Sequence, residues 1–122
     1  EDVKNRKHHI HMNGREVFKH AVRRFPEVIL EGLEYNGLKI DDVHLVVPHQ
    51  ANYRITQAVQ KQLNIPENKV FSNIHKYGNT TAASIGIALS EALEQNLITK
   101  GDIIVLASFG AGWYWGSVII KW

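Results

Sequence analysis

The sequence of 122 residues contains no cysteine. A disulfide scaffold, a thiolate metal site and a cysteine nucleophile are therefore excluded within this chain. Long hydrophobic runs are also lacking, because the longest has five residues (103–107) and a membrane-spanning helix needs about 18. Residues 1–7 are hydrophilic apart from Val3, so no secretory hydrophobic segment opens the sequence. We expect no membrane span and a cytoplasmic location.

Positive side chains outnumber negative ones only slightly. The formal net charge is +2, and no lysine/arginine block is longer than Arg23-Arg24, so the composition does not favour nucleic-acid binding. A modest basic patch facing an acidic partner protein is compatible with this charge. The hydrophobic fraction of 44% excludes a disordered chain, and the length fits one domain.

Helical and strand patterns alternate along the chain. Apolar residues at helical spacing predict a helix over 15–35, either kinked at Pro26 or divided into two helices with Pro26 opening the second. Residues 44–47 predict a buried strand that ends at Pro48, and Asn52 suits the N-cap of a following helix. This beginning indicates α/β organisation.

The second half of the chain continues the alternation. Val70-Phe71 predicts a brief strand, and Thr80-Thr81 is expected to cap a helix that runs to about Asn96. The first turns of that helix carry small side chains, which predicts that another backbone packs closely there. Residues 103–107 are apolar on both faces, as in a central strand, and a last strand ends at Trp122.

Two loops with polar side chains lie at the predicted carboxyl edge of the sheet, which is where α/β proteins bind ligands. His49 lies between a strand and a helix, and Asn79 precedes another helix. An imidazole and a carboxamide there can aim two N–H groups at one carbonyl oxygen and stabilise an oxyanion or enolate. The alternative is structural: His49 caps a turn, and Asn79 or Thr80 caps a helix.

Three further features of the sequence each have a functional and a structural interpretation. The loop from Phe109 to Gly112 exposes backbone amides, which suits an oxyanion hole or a plain tight turn. Arg54 lies in the first turn of a helix, where the positive end of the helix dipole makes a cation mildly unfavourable. Its presence there indicates an anionic partner. The alternative is an ordinary surface arginine. His8, His9 and His11 have no accompanying ligand cluster, and we predict an exposed lead-in and no metal site.

Four segments together resemble one known family, the β-ketoacyl-acyl carrier protein synthase III enzymes, which are thiolase-like condensing enzymes. The segments are Met12–Phe18, Val46–Ile55, Asn73–Ile85 and Ala107–Gly112 followed by Trp115-Gly116. The family fold is a duplicated α/β unit, and the resemblance covers its carboxyl-terminal copy only. It implies a lead-in over 1–13 and, over 14–122, a thiolase-like half in which helices pack on a layered mixed β-sheet.

The resemblance also implies roles for individual residues. His49 and Asn79 would donate hydrogen bonds to the thioester carbonyl of malonyl-acyl carrier protein and stabilise the enolate left by decarboxylation. In the glycine loop, Gly110 and Ala111 would form the acyl oxyanion site, with the Ala111 amide as donor, and Phe109 would line the site. The segment that would contact carrier protein and pantetheine consists of Gln50, Ala51, Asn52, Tyr53 and Arg54.

The implied substrates are CoA and phosphopantetheine thioesters, and no further cofactor is expected. Acyl carrier protein, acyl-CoA, an amino-terminal half and a second copy in a homodimer are the expected partners. Two departures from the family pattern stand out: the cysteine nucleophile lies outside this chain, and His75 occupies a position where an acidic residue is usual. A stand-alone carrier-protein-binding or dimerisation domain, or a relative making polyketides or quinolones, is the alternative.

Overall fold

The computed structural model describes residues 1–9, 11–110 and 112–122. Residues 1–9 form exposed turns, and regular structure begins at Gly14. Short 3₁₀ turns occur at Ile40–Asp42 and Glu67–Lys69. The helices and strands, in chain order, are α1 (Gly14–Tyr35), β1 (Leu45–Pro48), α2 (Tyr53–Leu63), α3 (Ile74–Tyr77), α4 (Ala83–Glu94), β2 (Ile103–Gly110) and β3 (Tyr114–Lys121).

The three strands form one mixed sheet in the order β1-β2-β3. β1 runs parallel to β2, with Leu45 opposite Ile104 and Pro48 opposite Ala107. β2 runs antiparallel to β3, with Ile103 opposite Lys121. The structure thus confirms the predicted mixed sheet and the central position of residues 103–107.

Each face of the sheet carries its own hydrophobic core. Side chains alternate along a strand, so Val46 and Val105 face one side while Val47 and Ile104 face the other. The first side packs against α1 and α2, and the second packs against α4. Because helices cover both faces, β1 and the middle of β2 are apolar throughout.

Helix α1 runs through Pro26 without a break, so the two-helix alternative is wrong. An interior proline costs a helix about 3 kcal/mol, because a backbone hydrogen bond is lost and the ring meets the preceding turn. The apolar stripe on both sides of Pro26 is buried in the first core, including Phe25 and Ile29. Burial of that continuous stripe offsets the local cost.

Two further expectations need correction. Val70 makes only an isolated bridge to Val46, because the 3₁₀ turn before it and α3 after it leave no room for a strand. Helix α4 begins at Ala83 rather than after a threonine cap. Thr81 has a φ of 52°, which does not suit an N-cap, and its amide is engaged by Asn79.

The small residues at the start of α4 lie open within this chain. A Cβ added at Gly86 would meet nothing within 4 Å, so no other described segment of the chain packs on it, and the close approach of a second backbone stays a prediction. Ala82 and Ala83 are exposed. None of the helices in the described part of the chain could span a membrane.

Candidate active site

An open cleft of about 750 Å³ lies beyond the carboxyl ends of β1 and β2. His49 enters it from the end of β1, and Phe109 and Gly110 enter from the end of β2. Asn79 reaches the same cleft from the loop before α4. The fold therefore brings the three loops singled out in the sequence to one place.

His49 is held from both its backbone and its ring. Its amide donates to the Ala107 carbonyl at 2.8 Å, which continues the β1-β2 pairing by one residue. Its Nδ1 lies 2.5 Å from Oγ of Ser84, a buried residue of α4. The side chain is half-buried, and burial lowers the pKa of His49. The imidazole is therefore neutral at neutral pH.

Gln50 points into the protein rather than toward a partner. Its side chain is 2% exposed, and its Nε2 donates to the Pro48 carbonyl at 2.8 Å and to the Phe71 carbonyl at 3.4 Å. Its Oε1 accepts from Ser72 Oγ at 3.0 Å and from the Asn73 amide at 3.2 Å. All polar atoms of this side chain are used internally, so its amide has no free group to offer a carrier protein, and the contact predicted for Gln50 stays a prediction.

The hydrogen bonds continue from Gln50 to the segment that precedes Asn79. Asn73 Nδ2 donates to Glu91 Oε2 at 2.8 Å, and Lys76 Nζ donates to the other carboxylate oxygen of Glu91. The hydrogen bonds from Lys76 and Asn73 lower the pKa of Glu91, so its carboxylate is charged. Helix α4 thus anchors both ends of the short helix α3, and through it the Asn79 loop.

Asn79 is exposed to the cleft in a turn of fixed shape. Its Oδ1 accepts a hydrogen bond from the Thr81 amide at 2.9 Å. The preceding Gly78 has a φ of 67°, a conformation that suits glycine. With Oδ1 engaged in the turn, the amide NH₂ is the group with which Asn79 can donate to a ligand.

The glycine loop presents one buried and one exposed residue. Phe109 is 6% exposed and belongs to the first core, with its ring centroid 5.4 Å from that of Trp113. Gly110 is exposed at the cleft. Ala111, the predicted oxyanion donor, lies outside the described residues. The oxyanion role of this loop remains a prediction.

The segment 51–54 separates two cavities. Ala51 lines the main cleft, whereas Tyr53 lines a second cavity of about 550 Å³ together with His75. Asn52 uses its Oδ1 to cap α2 by accepting from the Arg54 amide at 2.9 Å, as predicted. The Arg54 side chain is exposed, with its guanidinium 5.9 Å from the Phe18 ring centroid.

Comparison with known proteins identifies the domain. A family model described as 3-oxoacyl-[acyl-carrier-protein (ACP)] synthase III C terminal matches residues 33–122. The chain belongs to this family. The resemblance inferred from the motifs is therefore confirmed.

Curated relatives carry the same family name. The β-ketoacyl-[acyl-carrier-protein] synthase III of Roseiflexus castenholzii is 53% identical over 114 residues, which are 93% of this chain and 34% of that protein. The protein of the same name from Fusobacterium nucleatum is 48% identical over 122 residues, covering 100% of this chain and 37% of that relative. The chain thus spans about a third of the length of the curated relatives it matches.

Solved structures show the same fold. The 3-oxoacyl-[acyl-carrier-protein] synthase III from Aquifex aeolicus matches with a TM-score of 0.91 and 52% identity, covering 93% of this chain and 37% of that chain. A priming β-ketosynthase from the R1128 polyketide biosynthetic pathway matches with a TM-score of 0.81 and 32% identity, covering 91% and 34%. The thiolase-like, layered α/β fold predicted from the sequence is confirmed.

Within this family domain, the cleft is also lined by residues that the sequence pattern did not indicate. His11 and Met12 line it, although they belong to the segment treated as a lead-in. His11 Nε2 also lies 3.2 Å from the Arg6 carbonyl, and among the described residues no group of three metal-ligating side chains occurs. Ser84, among the small residues at the start of α4, holds the His49 ring and was not predicted to do so. Its only signal was a hydroxyl in the first turn of that helix.

Proposed function

We propose that this chain provides the decarboxylating part of the active site of a β-ketoacyl-acyl carrier protein synthase III. His49 and Asn79 act as two hydrogen-bond donors to the thioester carbonyl oxygen of malonyl-acyl carrier protein. One observation carries the proposal: both side chains line a single cleft, beside Phe109 and Gly110. The motif order and the family membership of the chain agree with it.

The reaction needs a charge-stabilising site. When the malonyl group loses CO₂, the electron pair of the broken C–C bond delocalises onto the thioester carbonyl oxygen as an enolate. The enolate carbon then attacks an acyl group carried as a thioester on cysteine, the C–S bond breaks, and the cysteine leaves as thiolate. This chain has no cysteine, so the nucleophile comes from an amino-terminal part outside it.

The site suits stabilisation of an enolate rather than proton removal by a strong base. A neutral imidazole can donate an N–H bond, and the lowered pKa of His49 keeps the ring neutral. The Asn79 amide is a neutral donor as well. Both donors are held by the fold before substrate arrives, so they need no reorganisation as negative charge develops on the oxygen.

The carrier protein would dock beside the cleft entrance. Tyr53 and Arg54 are exposed at the start of α2, next to Ala51 in the cleft wall. Arg54 offers a cation to the phosphate of phosphopantetheine or to an acidic carrier surface. The full-length enzyme is expected to accept its first acyl group from acyl-CoA, to form a homodimer and to work in the cytoplasm.

The test replaces each donor in the full-length enzyme that carries this chain. Losing one oxyanion donor typically costs about 2.7–4 kcal/mol, or roughly 10²–10³ in rate. His49→Ala and Asn79→Ala should each lower CO₂ release from malonyl-acyl carrier protein by that factor, while acylation of the cysteine by acyl-CoA stays measurable. Because both donors serve one oxygen, the double variant should lose less than the product of the single losses.

Matched controls exist on the same chain. His8 and Asn68 are exposed residues outside the main cleft, so His8→Ala and Asn68→Ala should decarboxylate at the rate of the unmodified enzyme. If a correctly folded His49→Ala or Asn79→Ala enzyme released CO₂ at the unmodified rate, the site assignment would be wrong.

A polyketide-forming relative is the second candidate, favoured by the structural match to the priming β-ketosynthase. The same donors would serve there, and the acyl primer and product would differ. Product analysis of the full-length enzyme with a panel of acyl-CoA primers separates the two candidates.

A further inference from the structure

The hydroxyl of Ser84 lies between the ring of His49 and the backbone that follows it. Its Oγ is 2.5 Å from His49 Nδ1 and 3.2 Å from the Gln50 amide nitrogen. The residue is 2% exposed, and these two groups are its only side-chain hydrogen-bond partners within the described residues. Because this hydroxyl is buried and has two partners, the donor and the acceptor of each of its hydrogen bonds can be assigned.

The count decides which ring nitrogen of His49 carries hydrogen. A serine hydroxyl has one hydrogen to donate and two lone pairs to accept with. The Gln50 amide can only donate, so it occupies one lone pair. If Nδ1 also donated, the hydroxyl hydrogen would be left in a buried place without an acceptor, which costs about 1–3 kcal/mol. The satisfied arrangement has Ser84 donating to an unprotonated Nδ1.

We propose that Ser84 is a positioning residue that holds His49 as the Nε2–H tautomer, with that N–H available to the cleft. The inference rests on the proposed function of His49 as a donor to the thioester oxygen. In the other tautomer, a lone pair on Nε2 would face the substrate oxygen and repel it. Ser84 also fixes the ring plane, because it joins the end of β1 to helix α4 across 35 residues of sequence.

The first measurement needs no variant of Ser84. In the full-length enzyme labelled with ¹⁵N-histidine, the His49 signals are those missing from the spectrum of His49→Ala. At neutral pH we expect Nδ1 at the chemical shift of an unprotonated ring nitrogen and Nε2 at that of a protonated one. A protonated Nδ1 in the neutral ring would overturn the inference, whether or not any Ser84 variant folds.

The second measurement is kinetic. Ser84→Ala frees the ring to adopt either tautomer, so kcat for decarboxylation should fall by roughly 10- to 100-fold, less than removal of the donor itself. The KM for malonyl-acyl carrier protein and the rate of cysteine acylation should each change by less than about threefold. Ser84→Thr keeps the hydroxyl and should recover most of kcat. Ser90→Ala, an exposed change on the same helix, serves as the control.

The outcomes separate this inference from the proposed function. If His49→Ala decarboxylates normally, the function assigned to the cleft fails. If His49→Ala loses activity while a folded Ser84→Ala keeps the unmodified kcat and the Nε2–H tautomer, only the role of Ser84 fails. Loss of kcat together with a mixed tautomer in Ser84→Ala, and recovery of both in Ser84→Thr, supports it.

Discussion

Replacement of Gln50 by alanine tests whether this residue joins the two site loops or contacts a carrier protein. The side chain is buried and makes four hydrogen bonds to Pro48, Phe71, Ser72 and Asn73. Through Pro48 it touches the segment before His49, and through Asn73 it touches the segment that leads to Asn79. A side chain in this position should matter for stability rather than for encounter with a partner.

The magnitude follows from the groups left behind. Asn73 is 2% exposed, so its amide would lose its acceptor in a place with little access to water. An unpaired buried donor costs about 1–3 kcal/mol, and the lost hydrogen bond to the Pro48 carbonyl adds about 0.5–1.5 kcal/mol. We therefore expect Gln50→Ala to lower the free energy of unfolding of this domain by about 2–4 kcal/mol.

Two assays on the full-length enzyme check this expectation. Urea unfolding measures the change in free energy, and hydrogen exchange measures protection of the Asn73 amide, which should fall. Gln62→Ala is the matched control, because Gln62 is exposed on α2 and such changes usually stay within about 0.5 kcal/mol. A stability loss under about 1 kcal/mol with unchanged exchange, together with a raised KM for carrier protein, would refute the reasoning.

Two further predictions concern charged residues. Arg54→Glu should raise the KM for malonyl-acyl carrier protein, most strongly at low salt, and should change the rate of acylation by acyl-CoA much less. Lys61→Glu on the same helix is the control. Equal effects of Arg54→Glu on both half-reactions would exclude a docking role. The lowered pKa of Glu91 means that its contribution to stability is present above the ordinary glutamate pKa of 4.5 and is lost as pH falls through its folded-state pKa. Glu91→Gln should therefore destabilise the enzyme at pH 7 in thermal unfolding and show a smaller difference at low pH. A difference that stays constant with pH, as expected for the exposed control Glu94→Gln, would contradict the ion pair with Lys76.

Local patterns in the sequence were sufficient for the elements whose surroundings are simple. Residues 103–107 are apolar on both faces because helices cover both sides of the central strand. Asn52 caps α2 as predicted, because the preference of asparagine for the N-cap belongs to the residue itself. The loops with His49 and Asn79 were found for the same reason, since each lies next to a recognisable element.

Tertiary packing decided what local preference could not. Burial of both halves of one apolar stripe keeps α1 continuous through Pro26, against the local tendency of proline to end a helix. Gln50 and Arg54 lie four residues apart in a polar segment, yet one is 2% exposed and the other is exposed to solvent. Gln50 points inward because residues 71–73 pass within hydrogen-bonding distance of its side-chain amide.

The contact between Ser84 and His49 likewise depends on tertiary packing and not on local sequence preference. The sequence by itself determined a histidine at a strand end and a helix beginning with small residues. Only the packing of α4 against the sheet brings the serine hydroxyl to the ring nitrogen, across 35 positions of chain. Hydrogen bonds of this kind depend on distances between elements. The pattern of apolar and polar residues along the sequence indicates which face of each helix or strand is buried. The positions of the helices and strands relative to one another are determined only when those faces pack together.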